Sequence, residues 1–125
     1  MGRSVALIAL RNDLSHDPDL VLMDDPVELE RYSRDAFDYS PVLISRLASC
    51  RADLVVRPQT LEAVERLASA CAQHRVPLTV RGAGTGNYGQ CVPMEGGVVM
   101  LTTALRQVRT IDSHTGIVTV ESGCL

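Results

Sequence analysis

Leu78-Thr79-Val80-Arg81-Gly82-Ala83-Gly84-Thr85-Gly86-Asn87-Tyr88-Gly89-Gln90 is the stretch on which the reading of this chain turns. A short apolar, β-branched run ends in Arg81, and four glycines then fall within eight residues. Glycine tolerates positive φ and lets a backbone come close to a ligand. Gly82, Gly84 and Gly86 alternate with small residues, so successive N–H groups can turn inward and form an anion-binding nest. Arg81 can set a guanidinium beside that nest and Thr85 a hydroxyl inside it. A tight strand–strand loop with no ligand accounts for the same glycines, and the residues alone leave both readings open.

Charge around the loop favours an anion. No Asp or Glu occurs from Arg66 to Met94, although the chain carries 15 acids. An even spread would place roughly three to four there. Arg66, Arg75 and Arg81 are the formal charges of that window. Two familiar phosphate loops are excluded. A Walker A loop needs Gly-Lys-Ser/Thr, and no lysine lies near these glycines. A Rossmann fingerprint needs a different glycine spacing and a helix starting inside the motif, whereas Asn87 to Pro93 reads as polar loop.

Upstream, Asp53-Leu54-Val55-Val56 predicts a buried strand stopped by Pro58. Thr60 can cap a helix carrying Glu62 and Glu65 in its first turns, and Leu61, Val64, Leu67, Ala68, Cys71 and Ala72 recur at helical spacing. Arg75 and Pro77 close that helix before the strand Leu78 to Val80. Strand, helix and strand make a right-handed βαβ unit, and the glycine loop follows the carboxyl end of its second strand, where open parallel sheets gather ligands. Downstream, Gly96-Gly97 turns into the strand Val98 to Leu101. Gln107 to Asp112 and Ile117 to Glu121 alternate about Ser113-His114-Thr115-Gly116 as an antiparallel hairpin, with Val108, Ile111, Val118 and Val120 expected to face the core. The fold class is therefore α+β: a small parallel βαβ sheet with helices, then the start of an antiparallel subdomain.

Residues 1–51 read as a helical and irregular lead-in to this unit. Val5 to Leu10 fits either a strand or a helical turn, Pro26 to Arg34 a short helix, and Pro41 to Cys50 another. Tyr32 and Tyr39 show no neighbouring base in the sequence and read as packing residues. The chain of 125 residues is the size of one domain, with 46% hydrophobic residues and a net charge of −3. Scattered arginines and 3% aromatics argue against a nucleic-acid surface. Cys50, Cys71, Cys91 and Cys124 form no CxxC pair and His16, His74 and His114 share no ligand spacing, so a metal centre is not expected. Buried free thiols in a reducing cytosol, and exposed histidines, are the simpler reading. The six apolar residues from Val5 to Leu10 are too few for a secretory core, and nothing approaches a membrane span of about 20 residues; a cytoplasmic location is expected.

Arg81-Gly82-Ala83-Gly84-Thr85-Gly86, preceded by Val76-Pro77-Leu78-Thr79-Val80 and followed by Gly89 and Gly96-Gly97-Val98-Val99, resembles the FAD-binding domain of the vanillyl-alcohol oxidase / p-cresol methylhydroxylase superfamily (PCMH-type). Among its branches the chain is most similar to FAD-linked 2-hydroxy-acid oxidases and dehydrogenases, such as the glycolate oxidase D subunit. The resemblance covers about Ala52 to Leu125. It implies non-covalent FAD, with Arg81, Gly82, Ala83, Gly84, Thr85, Gly86, Asn87, Gly89 and Gln90 binding the pyrophosphate. Thr85 stands where some relatives carry a flavin-linking histidine, and Cys91 does not match the family's linking cysteine. The same resemblance implies that residues 52–125 are the N-terminal portion of an incomplete FAD domain. It supplies no catalytic residue, and turnover of a small 2-hydroxy acid of the glycolate or lactate type is expected only in a complete enzyme. An alternative is a non-catalytic half-domain that pairs with a partner chain or with itself through an open sheet edge.

Overall fold

A computed structural model describes residues 2–37 and 40–125, so Asp38 and Tyr39 lie outside the described residues. Its centre is a four-stranded sheet of β1 (Leu20–Met23), β2 (Leu54–Pro58), β3 (Leu78–Arg81) and β4 (Val98–Leu101), in the order β1-β2-β4-β3. The helices are α1 (Arg3–Leu14), α2 (Pro26–Tyr32), α3 (Pro41–Leu47) and α4 (Leu61–His74). A separate two-stranded hairpin follows, β5 (Val108–Asp112) and β6 (Ile117–Val120).

Strand β4 is the keystone. All four of its residues are buried, and it pairs in parallel with β2 (Val55↔Val99) and with β3 (Val80↔Met100). The expected βαβ unit of β2, α4 and β3 is present, but its two strands are not neighbours because β4 lies between them. A continuous apolar run such as Val98-Val99-Met100-Leu101 suits a central parallel strand covered on both faces. Alternation along β2 and β4 sorts the core into two layers. Leu54, Val56, Val98 and Met100 face Leu10 and Leu14 of α1 and Ala63, Leu67 and Cys71 of α4. Val55, Val99 and Leu101 face the other way, with Ala52, Leu29 and Tyr32. Fully burying an aliphatic side chain is worth about 1.5–3 kcal/mol, so these positions dominate the stability of the fold.

The N-terminal segment is more ordered than a lead-in. Val5 to Leu10 belongs to the 12-residue helix α1, which packs on α4. β1, for which residues 20–23 carry no clear local signal, pairs antiparallel with β2 (Leu22↔Val56). Local signals elsewhere match their elements. Thr60 Oγ1 accepts from Ala63 N–H and starts α4, while Arg75, at φ 54°, ends it in the left-handed conformation. Asp25 and Ser40 cap α2 and α3, each followed by a proline in the first turn. The buried stripe of α4 is Ala63, Leu67 and Cys71; Leu61, Ala68 and Ala72 are exposed, which shifts the predicted face by part of a turn.

Three further expectations are corrected. Val108, Ile111, Val118 and Val120 do not enter the core, since every residue of β5 and β6 is exposed. Of the four free cysteines only Cys71 is fully buried, and burial pushes its thiol up to about 11. His74 is not simply solvated: its Nε2 lies 2.6 Å from Asp13 Oδ2, tying the end of α4 to α1. Among the described residues no helix is long and apolar enough to cross a membrane, and no group of His, Cys, Asp or Glu is arranged to hold a metal ion.

Candidate functional site

The glycine loop leaves the carboxyl end of β3 at the edge of the parallel sheet, one strand from the carboxyl end of β4. Thr102, the first residue after β4, donates its N–H to Arg81 O at 2.9 Å and fixes where the loop begins. Thr102 Oγ1 in turn donates to Ser122 O at 3.3 Å, bringing the segment after β6 to the same edge.

The glycines divide into two kinds. Gly84 is required by the fold: its φ is +72°, and a Cβ there would lie 2.1 Å from Arg81 Nη2. Gly82 has no such requirement. Its φ is outside the left-handed region, and an added Cβ would make only ordinary contacts, at 3.8 Å from Thr102 Oγ1 and 3.9 Å from Ser122 O. At Gly86 the nearest obstacle is the mobile end of the Gln90 side chain, 2.7 Å away. Gly82 and Gly86 therefore leave a surface that a bound group can reach and that side chains would fill.

The backbone donors divide in the same way. Tyr88 N–H donates to Gln90 Oε1 at 3.0 Å and Gly89 N–H to Asp35 Oδ2 at 2.6 Å. Gly86 N–H is turned toward the Cys91 sulfur. Among the described residues, the N–H groups of Gly82, Ala83, Gly84, Thr85 and Asn87 donate to no protein acceptor. Unpaired N–H groups in a loop of glycines and small residues are what an oxyanion ligand needs.

Arg81 sets its guanidinium against the loop, beside Gly84. It is only 7% exposed, donates from Nη1 to Arg34 O at 2.6 Å, and lies 5.9 Å from the centroid of the Tyr32 ring. It props the loop from beneath, against Gly84. Ala83, Thr85 and Gln90 are exposed, and Asn87 is half-buried. Cys91 is half-buried as well; burial, joined by the neighbouring Asp35 carboxylate, pushes its thiol above its ordinary range, against the opposing pull of Arg81 and the Gly86 N–H. That suits a packing thiol, not an activated one.

Sequence reasoning missed four neighbours of the loop. Arg34, Asp35 and Ala36 reach it from the connection after α2, and Thr102 from the end of β4. The acid-free window is thus a property of the sequence only, because Asp35 brings a carboxylate to Gly89. Thr102 had a signal in its position just past an apolar strand; the other three had none. Two cavities flank the loop. One lies between α3 and the loop, lined by Asp35, Leu43, Leu47, Asn87 and Gly89. Another runs along Leu78 to Val80 and reaches Gly89 and Gln90.

Comparison with known proteins assigns the loop its setting. Residues 52–125 match the family described as FAD binding domain. The glycolate oxidase subunit GlcD of Bacillus subtilis (strain 168) is 36% identical over 73 residues, 58% of this chain and 16% of the relative. GlcD of Escherichia coli (strain K12) is 31% identical over 112 residues, 90% of this chain and 20% of the relative, so likeness extends well before residue 52. The chain thus spans a fifth or less of the length of these relatives. An alkyldihydroxyacetonephosphate synthase superposes with a TM-score of 0.74 at 21% identity, over 94% of this chain and 23% of that one. p-Cresol methylhydroxylase superposes at 0.71 and 18% identity, over 97% and 22%. Those two likenesses speak for the fold alone, the PCMH-type architecture of a parallel sheet followed by antiparallel strands. With its glycine loop at the sheet edge and this match over residues 52–125, the chain belongs to the FAD binding domain family of FAD-linked oxidoreductases, and its cofactor is FAD.

Proposed function

We propose that the loop Arg81–Gln90 holds the FAD pyrophosphate without a covalent bond, and that the chain serves an enzyme oxidising the C–OH carbon of a small 2-hydroxy acid. The observation that carries the site is the pairing of unengaged N–H groups with glycines at 82 and 86 that the fold itself does not require. Phosphate oxygens would accept from Gly82, Ala83, Gly84, Thr85 and Asn87, while Arg81 keeps the loop in shape from below. The glycolate class of substrate rests on the relatives' names and on nothing in the loop. FAD, when bound, supplies the two-electron chemistry; the residues of this chain bind and orient it.

Each backbone bond contributes about 0.5–1.5 kcal/mol net, and immobilising a long dinucleotide costs several kcal/mol or more. The isolated 125-residue chain should therefore bind FAD with micromolar or weaker affinity and should not turn over glycolate or D-lactate. Calorimetric titration with FAD, followed by acid precipitation, checks both points. Flavin released into the supernatant is the expected result. Flavin retained on the polypeptide, or failure of FAD to bind at millimolar concentration, would overturn the assignment. A second reading, association through exposed strands, is favoured by the bare β5–β6 hairpin. A cytoplasmic location is proposed on the four free thiols alone.

A further inference from the structure

Three consecutive residues after α2 each bond to a different point of the glycine loop. Arg34 O accepts from Arg81 Nη1 at 2.6 Å, Asp35 Oδ2 accepts from Gly89 N–H at 2.6 Å, and Ala36 N–H donates to Gly84 O at 3.1 Å. The partners of Arg34 and Asp35 are 47 and 54 positions away in sequence, so this is a tertiary clasp and not a local turn. Asp35 is its charged member. A carboxylate accepting a backbone N–H makes a strong, charge-assisted bond. Its other oxygen, Oδ1, is buried and makes no hydrogen bond of ordinary geometry among the described residues, with only the weakly donating Cys91 thiol beside the carboxylate. A half-satisfied buried carboxylate is costly, and an apolar or amide residue would serve simple packing better.

We propose that Asp35 is a positioning residue for the FAD loop, locking its Gly89 end and, by its charge, keeping the pyrophosphate on the Gly82–Asn87 side. The proposal rests on the reading of that loop as the pyrophosphate site. Asp35 occupies the Gly89 donor and Gln90 Oε1 the Tyr88 donor, so the unengaged donors on the β3 side of them are Gly82, Ala83, Gly84, Thr85 and Asn87. A phosphate approaching Gly89 would meet a like charge within a few ångströms, which is unfavourable in a partly buried site. Position and charge therefore act together: the clasp shapes the loop, and the carboxylate sets which part of it receives the anion.

Amide hydrogen exchange on the FAD-free 125-residue chain tests the clasp, with Val99 and Met100 of β4 as controls for global stability. In Asp35→Ala, protection at Gly89 should fall at least about tenfold while β4 is unchanged. Asp35→Asn keeps an acceptor and should restore most of that protection. Ala36→Pro, which removes the donor to Gly84 O, should loosen the Gly84 end independently. FAD affinity should fall about tenfold in Asp35→Ala and recover in part in Asp35→Asn. Unchanged Gly89 exchange in Asp35→Ala would overturn the proposal, as would loss of β4 protection in parallel, which would make the effect global. Loosened Gly89 with unaltered FAD affinity would overturn the link to the cofactor. Because exchange is read without FAD, a wild-type chain that binds no FAD would sink the assignment of the loop while the exchange data still decide the clasp.

Discussion

The glycine loop and the β5–β6 hairpin are both surface segments at the end of the same sheet, but they are held in opposite ways. The hairpin is held by itself. Asp112 accepts from His114 N–H, Thr115 N–H and the Thr115 hydroxyl, Gly116 at φ +71° closes the turn, and Arg109 pairs with Glu121 across the strands. The glycine loop is held by distant segments, Arg34–Ala36 on one side and Thr102 on the other. Each loses what the other has. The hairpin leaves its apolar residues bare, whereas the loop satisfies its shape and leaves its N–H groups bare. Bare valines are what the proposed association would cover, and bare N–H groups in a fixed loop are what the proposed pyrophosphate site offers.

The sharpest way to break this contrast is at Gly84. Gly84→Ala adds left-handed strain of about 1–3 kcal/mol and drives a Cβ into the Arg81 guanidinium, so the buried arginine must move. Denaturant unfolding should show a loss in that range or above it, and FAD binding should vanish with it. That variant cannot separate cofactor contact from loop collapse, and the next one can. Gly82→Asp should change stability by no more than about 0.5–1 kcal/mol, because its backbone is unstrained and the added Cβ finds room. It should nevertheless weaken FAD binding at least about tenfold, by placing an anion among the phosphate donors. Equal affinity in the folded variant would remove the loop's starting residue from the site.

On the hairpin the expected effects are smaller. Val118→Thr changes a half-exposed strand residue and should leave unfolding within about 0.5 kcal/mol of the parent. Its effect should appear in association: sedimentation should show more monomer than in the parent chain, and an unaltered distribution would clear the hairpin of that role. The smallest effect is one of pH. The Thr115 hydroxyl and the His114 and Thr115 N–H groups hold Asp112 below its ordinary value of 3.8. A depressed folded value means that the turn's contribution is fully present above the unfolded value and is lost as pH falls through the folded one. Carboxyl chemical shifts of Asp112 should titrate below pH 3.8, with the turn resonances broadening over the same interval. The loop amides have no part in that titration.

The sequence by itself determined the pieces whose causes are local. Helix α4 follows from the Thr60 cap and an apolar period that needed only a small rotation. The hairpin follows from alternation about a turn written within six residues, and the loop's chemistry from glycines crowded after Arg81. Family resemblance then supplied FAD. Only the tertiary structure decided what depended on partners remote in the chain. A continuous apolar run says that Val98 to Leu101 is buried, but not that it divides β2 from β3, because composition fixes burial and leaves neighbour order to long-range pairing. Nothing near Asp35 announces that its carboxylate will meet Gly89 N–H, nor near Arg81 that its guanidinium will end beneath the loop on Arg34 O. Charge read along a chain measures sequence distance, whereas electrostatics and hydrogen bonds act through space, and only folding brings those groups within 3 Å of one another.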